Sequence, residues 1–186
     1  MKDYHRQDPR FALCGLNCAL CPMHVGGWCP GCGGGEGHQP CAFIRCRRQH
    51  GEGEYCFDCP EYPCGRFAQA MAYDSFLPHR RMCADLEAAR ALGLPAYTAR
   101  LEQKEAALQE LLAGYNDGRK KTLYCSAAAL LDVAALQAVL AQLRAQLPPE
   151  APVKEKAALA AALLNEQARR QNVDLKLHKK PKEKKP

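Results

Sequence analysis

From residue 66 onward, apolar side chains return every three or four positions, the spacing that lays them along one face of an α-helix. "RFAQAMAY" reads as a short helix. "PHRRMCADLEAARALG" sets Met82, Leu86, Ala89 and Leu92 on one stripe and stops at Gly93, a C-terminal capping residue. "AYTARLEQKEAALQELLAG" repeats the pattern with Leu101, Ala106, Leu108 and Leu112, ending near Gly114. "TLYCSAAALL" is so uniformly apolar that it must be buried on most sides. Asp132 is placed to cap "VAALQAVLAQLRAQL", which Pro148 and Pro149 end. "VKEKAALAAALLNEQARRQN" closes the helical run, and "VDLKLH" reads as a short extended piece.

Upstream the pattern vanishes. Between Cys14 and Cys64 no helical or strand period lasts more than a few residues, glycine is abundant and apolar residues are sparse. Ten of the twelve cysteines lie there. A segment with so little to bury cannot offset its own ordering entropy without crosslinks, and sulfur is the only crosslinking chemistry it carries.

Composition changes this picture in two places. The formal charge is +6, but Lys176, Lys179, Lys180, Lys182, Lys184 and Lys185 against Glu183 account for most of it. Basicity therefore belongs to a tail, which by itself gives only weak, salt-sensitive attraction to nucleic acid. The opening "MKDYHRQDPRFALCG" is polar and charged, unlike a secretory signal. No run of about eighteen apolar residues occurs to span a membrane. A cytoplasmic compartment is the expectation, where clustered cysteines bind metal rather than form disulfides.

The cysteines fall into three runs. Cys14, Cys18 and Cys21 curl around one point and leave a fourth position open. This is also the spacing of a radical-SAM cluster loop, but the chain lacks the length and alternation for the barrel that such a loop requires. "WCPGC" is a Cys-x-x-Cys knuckle at Cys29 and Cys32, whose two sulfurs can reach one tetrahedral ion. "CAFIRC" offers Cys41 and Cys46 as the second half of the same four-thiolate site, for which zinc is the expected ion. Cys56, Cys59 and Cys64 in "YCFDCPEYPC" are then the natural partners of Cys14, Cys18 and Cys21. For those six, a zinc site and an iron–sulfur cluster fit equally well. His24, His38 and His50 are expected to be exposed or locally hydrogen bonded rather than ligands. Cys83 is expected as a small buried hydrophobe. Cys125, at a helix start near cations, would be reactive only if exposed. "GGGEG" lacks the lysine and following helix of a phosphate loop and reads as a spacer. Asp58 and Glu61 read as rim charges, and no catalytic constellation is visible.

With these residues laid out, the chain resembles the cysteine-rich domain-of-unknown-function 3795 family. The resemblance rests on "CGLNCALCP", "CPGC", "CAFIRC" and "YCFDCPEYPCGRF", and continues through "HRRMCADLEAARALGLPAYTARLE", "YNDGRKKTLYCSAAALL" and "ARRQNVDLKLHKK", so it covers nearly the whole chain. It implies a metal-binding protein without an assigned activity.

The sequence thus predicts a mainly α fold. A small, irregular, metal-stapled N-terminal module (1–65) packs on a bundle of four or five helices (66–175), followed by a disordered basic tail (176–186). The module is expected to be non-catalytic and to present a surface to a protein partner. An iron–sulfur redox protein or accessory subunit is the alternative.

Overall fold

A computed structural model describes residues 4–37, 40–51 and 53–181. Among the described residues the regular structure is helical: α1 (Pro22–Val25), α2 (Ala42–His50), α3 (Gly65–Met71), α4 (Met82–Leu92), α5 (Leu94–Gly114), α6 (Lys121–Leu130), α7 (Val133–Gln146) and α8 (Val153–Arg170). No strands are found there; His5–Gly34 and Phe11–Asn17 make isolated bridges.

The helical periodicity translates directly into burial. Met82, Leu86 and Ala89 of α4 are buried, as are Leu101 and Leu108 of α5. Three members of the expected stripes are not: Leu92 is 44% exposed, Ala106 faces solvent and Leu112 is half-buried. Their positions on α5 are taken by Ala107 and Leu111, while Leu92 lies where α4 ends. The reason is the corner. Gly93, at φ +80°, is the whole connection between α4 and α5, and Pro95 follows in the first turn, where the missing N–H costs nothing.

Helix α6 is the hub. Tyr124 through Leu130 are all buried, and α6 packs against α5, α8, α1 and the turn at Cys18–Leu20. Asp132 caps α7 as expected, accepting a hydrogen bond from the Ala135 amide at 2.7 Å.

Two features of the cysteine-rich segment depart from expectation. Residues 42–50, where no period was visible, form α2, anchored by buried Phe43 and Ile44 and ended by Gly51 at φ +81°. Arg47, Arg48 and His50 fill its last turn, where positive charge complements the helix dipole. The segment's apolar residues are few, yet they do not form a separate core. Leu13, Leu20, Ile44 and Tyr55 belong to the same hydrophobic cluster as the helices, joined by Phe11, whose ring lies 4.6 Å from that of Tyr97 on α5.

The basic tail also differs from expectation over its first residues. Asp74 is 7% exposed and accepts from the His79 amide at 2.7 Å, the Arg80 guanidinium at 2.9 Å and the His178 amide at 2.8 Å. Its own amide donates to the His178 carbonyl at 2.7 Å. Arg80 also donates to the Asp174 carbonyl. Residues 174–178 are therefore pinned to the loop before α4; residues 182–186 lie outside the described residues.

Replacing Asp74 with Ala should lower stability by about 2 kcal/mol, because a buried acceptor of three hydrogen bonds is lost. Amide exchange should accelerate at His178. A stable variant with unchanged protection at that amide would count against the pin.

Candidate metal centre

All twelve cysteines are free thiols. The structure sorts the ten of the N-terminal segment into two neighbourhoods, and the division does not follow the chain order. Cys14 lies within electrostatic range of Cys41, Cys32 and Cys18. Cys18 senses Cys32, Cys21 and Cys29, and Cys32 senses Cys41 and Cys29. These six make the first neighbourhood. Cys56 has Cys64, Cys46 and Cys59 around it, with Cys41 also in range, and Cys46, Cys56, Cys59 and Cys64 line a cavity of about 270 Å³.

Cys41 is the extended N-cap of α2 and Cys46 lies five residues further on. Cys41 is within range of Cys14 and Cys32 on one side and of Cys56 on the other, while Cys46 lines the cavity of the third run. The three thiols Cys14, Cys18 and Cys21 join the knuckle rather than Cys56, Cys59 and Cys64.

Backbone amides are aimed at several of these sulfurs. The Leu16 amide favours charge on Cys14, the Cys32 amide on Cys18, those of Met23 and His24 on Cys21, and that of Leu13 on Cys32. Against this, burial dominates. It pushes Cys14 and Cys18 well above the ordinary thiol range, raises Cys21 and Cys32, and takes Cys56 up to about 12. Neighbouring thiols add to the effect, since two buried thiolates repel. The sulfurs therefore carry protons unless a cation joins them.

Arg6 was not visible as a functional residue in the polar lead-in, because nothing in its local pattern marks it. Its side chain is 2% exposed. The guanidinium lies 4.5 Å from the centre of the Tyr55 ring, and it donates to the carbonyls of Glu54 at 2.6 Å and Phe11 at 3.2 Å. Its Nε has no hydrogen-bond partner among the described residues, and Cys32 is the strongest negative influence upon it. The Glu54 carboxylate also lies 3.5 Å from this guanidinium, so the charge of Arg6 is shared between that acid and the thiol cluster.

The histidines behave as anticipated where they are described. His24 Nδ1 is engaged with the Cys29 carbonyl at 2.9 Å, and His50 is exposed on the rim of the second cavity; His38 lies outside the described residues. Arg47, Arg66, Asp58 and Glu61 also line that cavity. Asp58 has a structural task as well, accepting the Tyr55 amide at 2.9 Å. Cys125 lies in the middle of α6 rather than at its start; it is fully buried, and burial lifts its thiol to about 12, which leaves it unreactive. Cys83, expected to be buried, is half-buried instead, near Tyr62 and Cys64.

Among the described residues, no three His, Cys, Asp or Glu side chains converge closely enough to hold a metal ion. The fit is therefore one of chemistry and neighbourhood rather than of finished coordination geometry. Comparison of the chain with protein-family models, curated proteins and solved structures finds no match.

Gly15 sets the entry to the first neighbourhood. It adopts φ +88°, and a Cβ there would stand 2.1 Å from the Met82 carbonyl oxygen of α4. Gly15→Ala should cost about 3 kcal/mol or more, combining left-handed strain with a backbone clash. Gly27→Ala is the control. That glycine has φ +74° with nothing within 4 Å, so only the strain of about 1–2 kcal/mol remains. Equal losses in chemical denaturation would show that loop and helix are not in the close contact described.

Proposed function

We propose that residues 14–64 form a cysteine-rich metal-binding module, with zinc as its ion, and that the metal has a structural role in a domain that serves as an interaction module. The observation that carries this is the first neighbourhood: six thiols gathered with backbone amides aimed at four of them and the buried Arg6 guanidinium alongside. Amide donors and a buried cation would stabilise the thiolates once a bound ion offsets the burial that otherwise keeps them protonated, and thiolate is the form that ligates zinc. Cys14, Cys18, Cys21, Cys29, Cys32 and Cys41 would supply one site, and Cys46, Cys56, Cys59 and Cys64 the other. The resemblance of the cysteine runs to a metal-binding family points the same way.

When bound, zinc would compensate the charge of the thiolates and crosslink loops that have little regular structure of their own. Structural zinc contributes on the order of 10 kcal/mol of folding free energy in small domains. The sulfurs would have to draw closer together to close such a site, coupling binding to local ordering. Free thiols throughout suit a reducing, cytoplasmic setting. No helix among the described residues is long and apolar enough to cross a membrane.

An iron–sulfur centre is the alternative, making the chain a redox protein or an accessory subunit. One observation favours it. The cavity lined by Cys46, Cys56, Cys59 and Cys64 has a volume of about 270 Å³, more room than a single tetrahedral ion among four sulfurs needs, and Arg47 and Arg66 on its wall would offset the charge of a cluster.

Elemental analysis with an optical spectrum, on protein purified without oxygen, decides between them. Zinc at about two per chain and a colourless solution are the expected result. Iron with acid-labile sulfide and visible absorbance would replace zinc with the cluster. Protein that is folded yet binds neither metal overturns both. Within the zinc outcome, Cys18→Ser should lower the stoichiometry by about one ion and Cys59→Ser by another, each independently.

A further inference from the structure

Away from the cysteines, helices α4 and α5 and the corner between α6 and α7 enclose a cavity of about 480 Å³, within the range of small-molecule sites. Its polar floor is built and interlocked. Asn17, 5% exposed, donates to Asp85 at 3.1 Å and accepts from the Tyr97 hydroxyl at 3.1 Å. Arg81 pairs with Asp85 at 3.1 Å. Asp132, on the far wall, is occupied by the Ala135 amide and by Gln171 at 3.0 Å.

Two cations remain. Arg100 and Lys104 both line the cavity, and neither makes a hydrogen bond or ion pair with any other described residue. They stand four residues apart on α5, a spacing at which like charges repel. Lys104 is largely withdrawn from water. Burial draws its amine down to about 8, with Asp85 and Asp132 acting against that fall and Arg81 and Arg100 adding to it. Asp85 and Asp132 offset part of the lysine's charge, and Arg100 adds a further cation at the same wall.

The lining supplies three cations, Arg81, Arg100 and Lys104, against two carboxylates, Asp85 and Asp132. The surplus is a single positive charge, which suits a monoanion better than a phosphate dianion. The remaining wall is apolar, from Ala88, Leu101, Leu130, Leu131 and Val133. We infer that this cavity binds a small organic monocarboxylate with a short apolar body, its carboxylate held by Lys104 and Arg100 and its body against the leucines. This is independent of any metal bound among the cysteines.

Calorimetric titration and thermal unfolding with sodium hexanoate as the probe test it, with 1-hexanol and inorganic phosphate as controls. Hexanoate should bind in the millimolar range or tighter and raise the melting temperature, while hexanol and phosphate bind at least about tenfold more weakly, since a hydrogen bond to a charged group is worth roughly one to two decades in affinity. Lys104→Met and Arg100→Gln should each weaken hexanoate binding by about tenfold or more. Arg100 is exposed, so its variant keeps the fold even if the buried lysine variant does not. No hexanoate binding, equal binding of hexanol, preferential binding of phosphate, or undiminished binding by folded Arg100→Gln would each overturn the assignment.

Discussion

The buried amide of Asn17 is the tie on which the arrangement depends. It lies in the loop between Cys14 and Cys18, yet its hydrogen bonds run to Asp85 on α4 and Tyr97 on α5. A single side chain thereby fixes the first thiol loop against both helices at the Gly93 corner. Because donor and acceptor are both satisfied away from water, breaking either bond would leave a buried polar group unpaired, which is costlier than the bond is strong. The neighbouring Gly15, pressed against the Met82 carbonyl, makes the same junction sterically. The thiols are held in place from the helical side first, and any metal would act on loops already oriented.

That order of dependence explains why irregular loops can hold so many cysteines. Phe11, Leu13 and Leu20 are fully buried in the cluster that also contains Leu108 and Tyr124, so the loop borrows a core rather than building one. The helices in return have α6 covered at one end by the turn at Cys18–Leu20 and by α1. Between the two sulfur neighbourhoods stands α2, whose N-cap is Cys41 and whose middle carries Cys46. A short helix with two buried anchors, Phe43 and Ile44, thus links the two groups, its N-cap Cys41 within range of both.

Much of the helical half was legible in the sequence, because a 3.6-residue repeat of leucine and alanine has one physical solution. The Asp132 cap, the burial of Tyr124 to Leu130 and the stop before Pro148 follow from local chemistry alone. Leu92 was not legible as an exposed residue, since its exposure comes from a one-residue corner that the repeat does not encode. The ten candidate ligands were recognisable as a set from cysteine density, whereas their grouping was not. Sequence order suggested Cys41 and Cys46 with the knuckle, whereas the fold sets Cys46 in the cavity of the third run and Cys41 within range of both groups. Arg6 and the pair Arg100 and Lys104 were illegible for a different reason. A cation gains meaning from what surrounds it in space, and an arginine in a polar lead-in or a lysine on an amphipathic helix looks like a solvated charge until the fold encloses it.

The pin between Asp74 and His178 closes the chain on itself, joining the loop before α4 to residues that follow α8. Its partners are 104 positions apart. During synthesis, which delivers the N-terminal residues first, the cysteine loops and the first helices exist for some time before residue 178 emerges. The 74–80 loop must wait, its Asp74 exposed and its Arg80 without the Asp174 carbonyl, until the segment after α8 arrives to lock it. This stitch is therefore tied by residues made after all eight described helices.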